Sequence, residues 1–450
     1  MLTGKENRVD FSLKGIMSWL LDNIVTIIFV LFVLLGFMVS KNVPMSFFLS
    51  ELCDRIFRNS FLVLSLIIPV LAGLGLNFGI VVGAMCGQAA IALARYHGLG
   101  GMNGLLLCFV VSFFLAAFCG YLTGKLYNKT RGQEMIAGLI LGYFANGIYQ
   151  FIFLFAVGVI ISVPATHPMI MPNGIGIRMT VDLVQVEKGG LKYALENIYK
   201  IPFVQALLII SLVILIMLII GYWLNKKRGQ GYKNNPVSFG FSILMCLIIT
   251  AIAAYTINTK SNFMEIPAIP ILDAWAPNLL RVRSVPVVTA LFIIGLCIFT
   301  ELIMKTKLGQ DFRSVGQSQH ISEVSGINVD RTRIIATIIS TVLAAWGQLI
   351  FLQSMGTLST YSSHTQIGMF SVAALLVGGA STSKANIKNA IFGTILFNAM
   401  FIMSPSMGEA LFGEANLGEY FRTFMVYGVI GVALGLHVWK ANKKSRIVVE

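Results

Sequence analysis

The chain has 450 residues, of which 56% are hydrophobic and only 12% charged, and its mean hydropathy is +0.82. Soluble domains carry roughly twice that charged fraction, so a water-soluble globular protein is excluded. The formal net charge of +14 does not point to nucleic acid, because the basic residues sit in short loops beside apolar runs, with no interleaved aromatics to stack bases.

In chain order, the polar stretch MLTGKENRVDFSLKG comes first, followed by an apolar run over 23–39 without a small-residue cleavage site. It reads as a retained first span. The next apolar window, 61–94, is broken by Pro69 and by glycines from Gly73 onward, which predicts two short helices meeting inside the membrane. Within it Gly75, Gly79, Gly83 and Gly87 recur at intervals of four. On a helix that spacing lays them along one stripe, where a neighbouring backbone packs closely. Windows of bilayer length follow near 103–124, 134–162, 204–224, 238–258, 287–304, 332–355, 387–404 and 420–439, with a second broken window at 366–383. The expectation is an all-α polytopic membrane protein with about 10–12 transmembrane segments, broken helices included.

The segments 87–114 and 371–397 share one order: an apolar half-helix, a Gly/polar turn, then a new span. Lysine and arginine cluster near 5–14, 125–131, 226–233, 305–333, 384–388 and 440–446, which places these loops and both termini on the cytoplasmic side. In that topology the two segments run in opposite directions, so inverted repeats are expected. The organisation is then a cytoplasmic segment over 1–22, a transmembrane domain over 23–441 and a cytoplasmic tail over 442–450. The stretches 163–203 and 259–286 become outer loops, long enough for small helices; PATHPMIMPNGIG in the first reads as irregular.

The cytoplasmic stretch KLGQDFRSVGQSQHISEVSGINVDRTR (307–333) is polar between two apolar spans. Ser318 is a predicted N-cap and Gly326 a predicted C′ residue, bracketing about two helical turns. Ile321 and Val324 stand three apart and share a face, while Gln319, Ser322 and Ser325 point elsewhere. Gly309 and Gly316 permit sharp turns before the helix. Such a helix at the membrane surface presents apolar knobs to lipid headgroups or to a soluble partner.

GQDFRSVGQSQHISEVSGINVDRTRIIATIISTVLAAWGQL resembles the cytoplasmic coupling segment of permease subunits in bacterial ABC importers, in the group serving simple sugars, nucleosides and branched-chain amino acids. The residues carrying the resemblance are Gly309, Arg313, Ser314, Val315, Gly316, Ser325, Gly326, Ile327 and Arg331, with Ser314 and Ser322 standing where small apolar residues are usual. GLGLNFGIVVGAMCGQAAIALA and ALLVGGAS look like the group's broken-helix regions, and TRGQEMIAGLILGYFANGIYQFI resembles one of its span starts. The resemblance covers roughly residues 60–440. It implies a bacterial inner-membrane permease with three kinds of protein partner: a separate ABC ATPase, a second permease subunit (identical or sister) and an extracytoplasmic solute-binding protein. Gly309, Arg313, Gly316, Gln319, Ile321, Ser322, Val324 and Gly326, within the coupling segment 305–331, become the expected ATPase contact.

No catalytic constellation accompanies these features. CGYLTGKL lacks the glycine spacing and the Ser/Thr of a P-loop. Carboxylates are nearly absent from the spans, so neither a proton relay nor an acid/base pair is expected. Six cysteines form no CxxC or CxxH pattern and the five histidines no metal-ligand spacing, so no disulfide framework, metal or cofactor is expected. The intramembrane amides Asn77, Gln88, Asn146, Gln150, Gln348, Gln353 and Asn398 are costly if unpaired. They serve either interhelical bonding or brief hydrogen bonds to a passing neutral polyhydroxyl or heterocyclic solute. A simple sugar or nucleoside-like solute fits first; branched-chain amino acids, a flavin-like heterocycle and ion-coupled secondary transport are the alternatives.

Overall fold

The computed structural model describes residues 23–40, 43–164, 166–184, 190–227, 236–261 and 270–449. The expected N-terminal segment 1–22, the basic residues Arg228 and Lys233 and the stretch 262–269 of the second outer loop lie outside them. The apolar windows become helices α1 (Ile24–Val39), α2 (Met45–Ser65), α3 (Ile67–Leu71), α4 (Ile80–Tyr96), α5 (Gly101–Lys129) and α6 (Glu134–Phe151), the last continued by a π-helical turn over Ile152–Ala156. After β1 (Thr180–Asp182) and β2 (Lys200–Ile201) come α7 (Phe203–Lys227), α8 (Pro236–Ser261) and α9 (Pro270–Leu280). Beyond β3 (Val285–Pro286) lie α10 (Val287–Lys305), α11 (Lys307–Gln317), α12 (Gln319–Val324) and α13 (Val329–Met355). The chain closes with β4 (Thr357–Ser359), α14 (Ser363–Val377), α15 (Ile387–Phe412) and α16 (Ala415–Val449).

Among the described residues, seven helices are long and apolar enough to cross a membrane, and α1, α4 and α14 are shorter apolar helices. The protein is an all-α polytopic membrane protein. Both broken windows are broken as expected: α3 gives way to α4 through Gly73 and Gly75 at positive φ, and α14 ends at Gly378 and Gly379 before α15 begins. The order of half-helix, turn and full helix is present in both segments singled out as repeats.

Two units divide the chain, one formed by 1–41, 55–195 and 291–450, the other by 42–54 and 196–290. In the first, α13 and α15 are central: 67% and 72% of their apolar windows are buried, against 22–28% for α5, α6 and α10. The burial of α13 follows from glycines on its neighbours. A Cβ at Gly83 would fall on the Thr341 carbonyl oxygen and 2.8 Å from the Ala344 Cβ, and one at Gly87 would lie 2.7 Å from the Ala345 oxygen. From α5, Cβ atoms at Gly120 and Gly124 would come within 2.9 Å of the α carbons of Ile338 and Ile334. Two glycine pairs at spacing four thus clasp α13, which is how helices associate where water supplies no hydrophobic drive. Cys86, Ala116, Val342 and Ala345 fill the layer between them.

The expected four-glycine stripe is shorter than predicted. Gly75 has φ +70° and lies in the break, and Gly79 precedes the first residue of α4, so Gly83 and Gly87 carry the helical contact. The loop over 163–203 forms no helix in its described part. Instead β1 pairs antiparallel with β4, Val181 opposite Leu358, and Tyr361 donates from its hydroxyl to the Ile177 carbonyl (2.7 Å).

The second unit holds the apolar helices α7 and α8, joined by Thr250 Oγ1 donating to Ser211 Oγ (2.9 Å) and by stacked Tyr222 and Phe239. Arg283 pairs with Asp54 at 2.7 Å, and β2 pairs with β3. The 259–286 segment does contain a helix, α9.

Candidate functional site

Three caps in tandem order the polar segment. Thr306 Oγ1 accepts from Gly309 N (3.3 Å), Ser318 Oγ from Ile321 N (3.3 Å) and Asn328 Oδ1 from Arg331 N (2.9 Å). Each satisfies an amide that a helix start leaves open. The predicted cap at Ser318 and the C′ glycine at Gly326 (φ +82°) are both present around α12. Gly309 and Gly316 do not form turns. Both lie inside α11, and their missing side chains admit backbone: a Cβ at Gly309 would strike the Ile303 carbonyl, one at Gly316 the Leu71 carbonyl. The Gly73 α-region presses equally close, since its own Cβ would lie 2.8 Å from Gly316 Cα. The polar segment is therefore seated on the broken helix through two glycines, while Phe312 and Val315 are buried beside them.

On α12, Ile321 is 66% exposed and Val324 78%, while Ser322 is 2% exposed and its hydroxyl donates to the Ser318 carbonyl (2.8 Å). Both aliphatic side chains of the helix turn outward, beside the exposed His320 and Glu323, and Ser322 is its buried residue. Ser322 is buried against its own chain, unlike Ile321 and Val324. Arg313 is exposed and Gln319 half-buried.

Arg131, between α5 and α6, donates to Glu323 on α12 (3.1 Å) and to Asp330 on α13 (2.6 Å). Just behind, Arg333 is 0% exposed and donates from Nη2 to the Tyr127 carbonyl (2.9 Å) and to Glu134 Oε1 (2.5 Å). The sequence reading counted Arg333 as a loop charge and saw no charged pair in the spans. It is a buried ion pair tying α13 to α5 and α6.

Five of the seven intramembrane amides fall into three places. Tyr127 donates to Asn77 Oδ1 (2.7 Å), Asn77 to Ser340 Oγ (3.3 Å) and Ser340 to the Ser65 carbonyl (3.0 Å), a chain crossing from α5 to α2. Gln88, Asn146 and Gln150 meet around His364, whose Nδ1 lies 2.8 Å from Gln88 Oε1 and Nε2 2.8 Å from Asn146 Oδ1. A neutral imidazole donates from one nitrogen only. Turning the Gln88 amide over supplies the other bond and gives the buried, otherwise unpartnered Nε2 an acceptor. Asn398, the third place, accepts from Asn59 Nδ2 (2.9 Å) and donates to the Thr394 carbonyl (2.7 Å).

Asn398 is the one expected path amide that lines the cavity in the first unit, about 350 Å³ in volume, between α2, α13, β4, α14, α15 and α16. Gln348 reaches its wall indirectly, donating to Ser363 Oγ (3.4 Å). Gln353 instead accepts from Leu195 N (3.4 Å). Three arginines that sequence reasoning passed over, Arg55, Arg58 and Arg422, also line the cavity, with Asn59 and four phenylalanines. The signal for the first two was the spacing of Arg55, Arg58 and Asn59, which marks one helix face.

A family model described as the permease component of branched-chain amino acid transport systems matches residues 192–433, more than half of the chain. The chain is 23% identical over 318 residues to the nucleoside ABC transporter permease protein NupB of Lactococcus lactis, covering 65% of this chain and 83% of that one. It is 32% identical over 169 residues to the xylose transport system permease protein XylH of Haemophilus influenzae, 36% of this chain and 41% of the relative. A second Lactococcus lactis nucleoside permease, NupC, is 24% identical over 173 residues, 38% and 53% of the two chains. No solved structure matches the chain.

Proposed function

The chain belongs to the permease-component family of branched-chain amino acid transport systems, and on that premise we propose that it is the membrane subunit of an ATP-driven importer for a sugar or nucleoside-like solute. It is an ABC transporter permease, a multi-pass transport subunit and not an enzyme. The observation that carries the proposal is α12: a helix capped at both ends with Ile321 and Val324 turned outward. Exposed aliphatic side chains on a short capped helix fit a cleft in a soluble partner. The partner is an ABC ATPase, bound on the cytoplasmic side, with the segment 305–331 and both termini facing it and 163–203 and 259–286 facing outward. Gly316 and Gly73 seat the segment on the broken helix, Gly309 packs it against the end of α10, and Arg131 links α12 to α13, so a rigid-body pull on α12 reaches the spans. The remaining partners are a second permease subunit and an external solute-binding protein, in a bacterial inner membrane. The nucleoside and xylose relatives support the solute class.

The test is uptake by proteoliposomes holding the chain with a P-loop ATPase. Val324→Asp and Ile321→Asp should leave membrane insertion intact and abolish ATP-dependent uptake, and a cysteine at Val324 should crosslink to the ATPase. Uptake by the chain without any ATPase, or undiminished uptake by both variants, refutes the reading.

A further inference from the structure

Tyr127, two residues before the end of α5, is fully buried. Its hydroxyl donates to Asn77 Oδ1 (2.7 Å) and accepts from the Gly79 amide. Gly79 is the cap position of α4, where no neighbouring side chain caps the helix. The start of α4 is therefore capped from another helix, by a group that both donates and accepts. Two glycines make room for it. A Cβ at Gly79 would lie 2.6 Å from the Tyr127 oxygen, and one at Gly138 on α6 would lie 2.5 Å from it. The Tyr127 carbonyl accepts from Arg333 Nη2 (2.9 Å), so the residue is held through its backbone as well.

The hydroxyl grips one end of the break between α3 and α4. The polar segment grips the other, where the backbones of Gly316 and Gly73 touch. What lies between is packed: Leu74, Leu76, Asn77 and Phe78 are each 3% exposed or less. Leu74 N bonds the Pro69 carbonyl (3.0 Å) and Phe78 N the Leu76 carbonyl (3.1 Å), so the break is a compact strut. The other tie, from Arg131 to Glu323 and Asp330, joins exposed side chains, and exposed ion pairs hold weakly. A displacement of α11 and α12 therefore travels through the strut more firmly than through the ion pairs. From this we infer that Tyr127 is a positioning residue for coupling. Its hydroxyl locks the strut to α5, so a push at Gly316 moves α4 and α13 instead of being lost as sliding of the break past α5. The inference rests on the importer reading for the origin of the push, but the lock is a property of this chain alone.

The first test uses the full chain alone, in phosphatidylcholine nanodiscs, followed by amide hydrogen exchange. Tyr127→Phe keeps the ring and should speed exchange at Gly79 and Ile80 about tenfold, the factor that one buried hydrogen bond supplies. Gly316→Ala keeps the hydroxyl and should speed exchange at the same two amides from the far end of the strut. Exchange at Gly79 and Ile80 that Gly316→Ala leaves unchanged overturns the inference. The second test uses proteoliposomes with the ATPase, with uridine and D-xylose as probes, and measures uptake and ATP hydrolysis together. Tyr127→Phe should lower the solute carried per ATP by at least about fivefold, the low end of coupling between sites. Thr360→Val removes another buried hydroxyl, one bonded to the Arg178 carbonyl (2.8 Å), and should leave that ratio unchanged. An unchanged ratio in Tyr127→Phe, or an equal fall in Thr360→Val, overturns the inference. Absence of ATP-dependent uptake of either probe by the unsubstituted chain counts against the importer reading instead, and the exchange measurement still decides the lock.

Discussion

Replacing Gly83 by alanine tests the clasp around α13 directly. The new Cβ would meet the Thr341 carbonyl oxygen and sit 2.8 Å from the Ala344 Cβ. Carbon atoms rest about 3.5–4.0 Å apart, so the two backbones must separate by roughly 1 Å. Gly87, one turn on, shares the same contact with Ala345, and the separation undoes that packing too. Overpacking of this kind costs about 1–3 kcal/mol. Glycine-to-alanine also raises helix propensity, which would blur the reading, so the comparison is with Gly295→Ala in α10, where nothing lies within 4 Å of the added Cβ. Both variants gain the same propensity of about 1 kcal/mol, and their difference isolates the clash. Unfolding equilibria measured by steric trapping in detergent should place Gly83→Ala about 1–3 kcal/mol below Gly295→Ala. Abundance and uptake should fall together, because the contact is static packing. A Gly83→Ala protein as stable as Gly295→Ala would refute the reasoning.

Arg333→Met should be far more damaging than removal of the whole pair. It leaves Glu134 buried without its cation, at a cost of about 3–5 kcal/mol, whereas Arg333→Met with Glu134→Leu should recover most of the loss in the same unfolding assay. Ser318→Ala should remove about 1 kcal/mol from α12; hydrogen exchange should speed up at Ile321–Ser325 and nowhere else, and faster exchange throughout α13 would contradict a local cap.

The helices were legible because a bilayer demands long apolar runs, and the cap at Ser318 and the glycine at Gly326 because their signals lie within a few residues of what they do. What escaped the sequence depended on partners far along the chain. Gly309 and Gly316 look like turn formers, yet Gly316 is needed because Leu71 and Gly73 approach it. Arg333 looks like a loop cation until Glu134 is beside it, 199 residues away. The helix α2 carries Glu51, Asp54, Arg55 and Arg58 in its middle, charges that lower any hydropathy average over it, so its cavity face went unread. Asn398 was singled out as a path amide, but nothing local paired it with Asn59, 339 residues earlier. The burial of Ser322 was hidden for a different reason: on a helix of six residues, sequence spacing separates the two faces without telling which one turns inward.

The glycine pairs on either side of α13 also determine where the molecule can bend. Backbone touches backbone at the glycine pairs of α4 and α5 on α13, and mostly small side chains fill the layer between, so the three helices travel as one beam. A beam of 27 residues is about 40 Å long. Whatever tilts it at the α12 end is delivered, undiminished, at the β4 end beside the cavity. The chain changes direction outside that beam, at glycines whose left-handed backbone other residues rarely adopt: Gly73 and Gly75 ahead of α4, Gly356 after α13, and Gly379 after α14, all at positive φ.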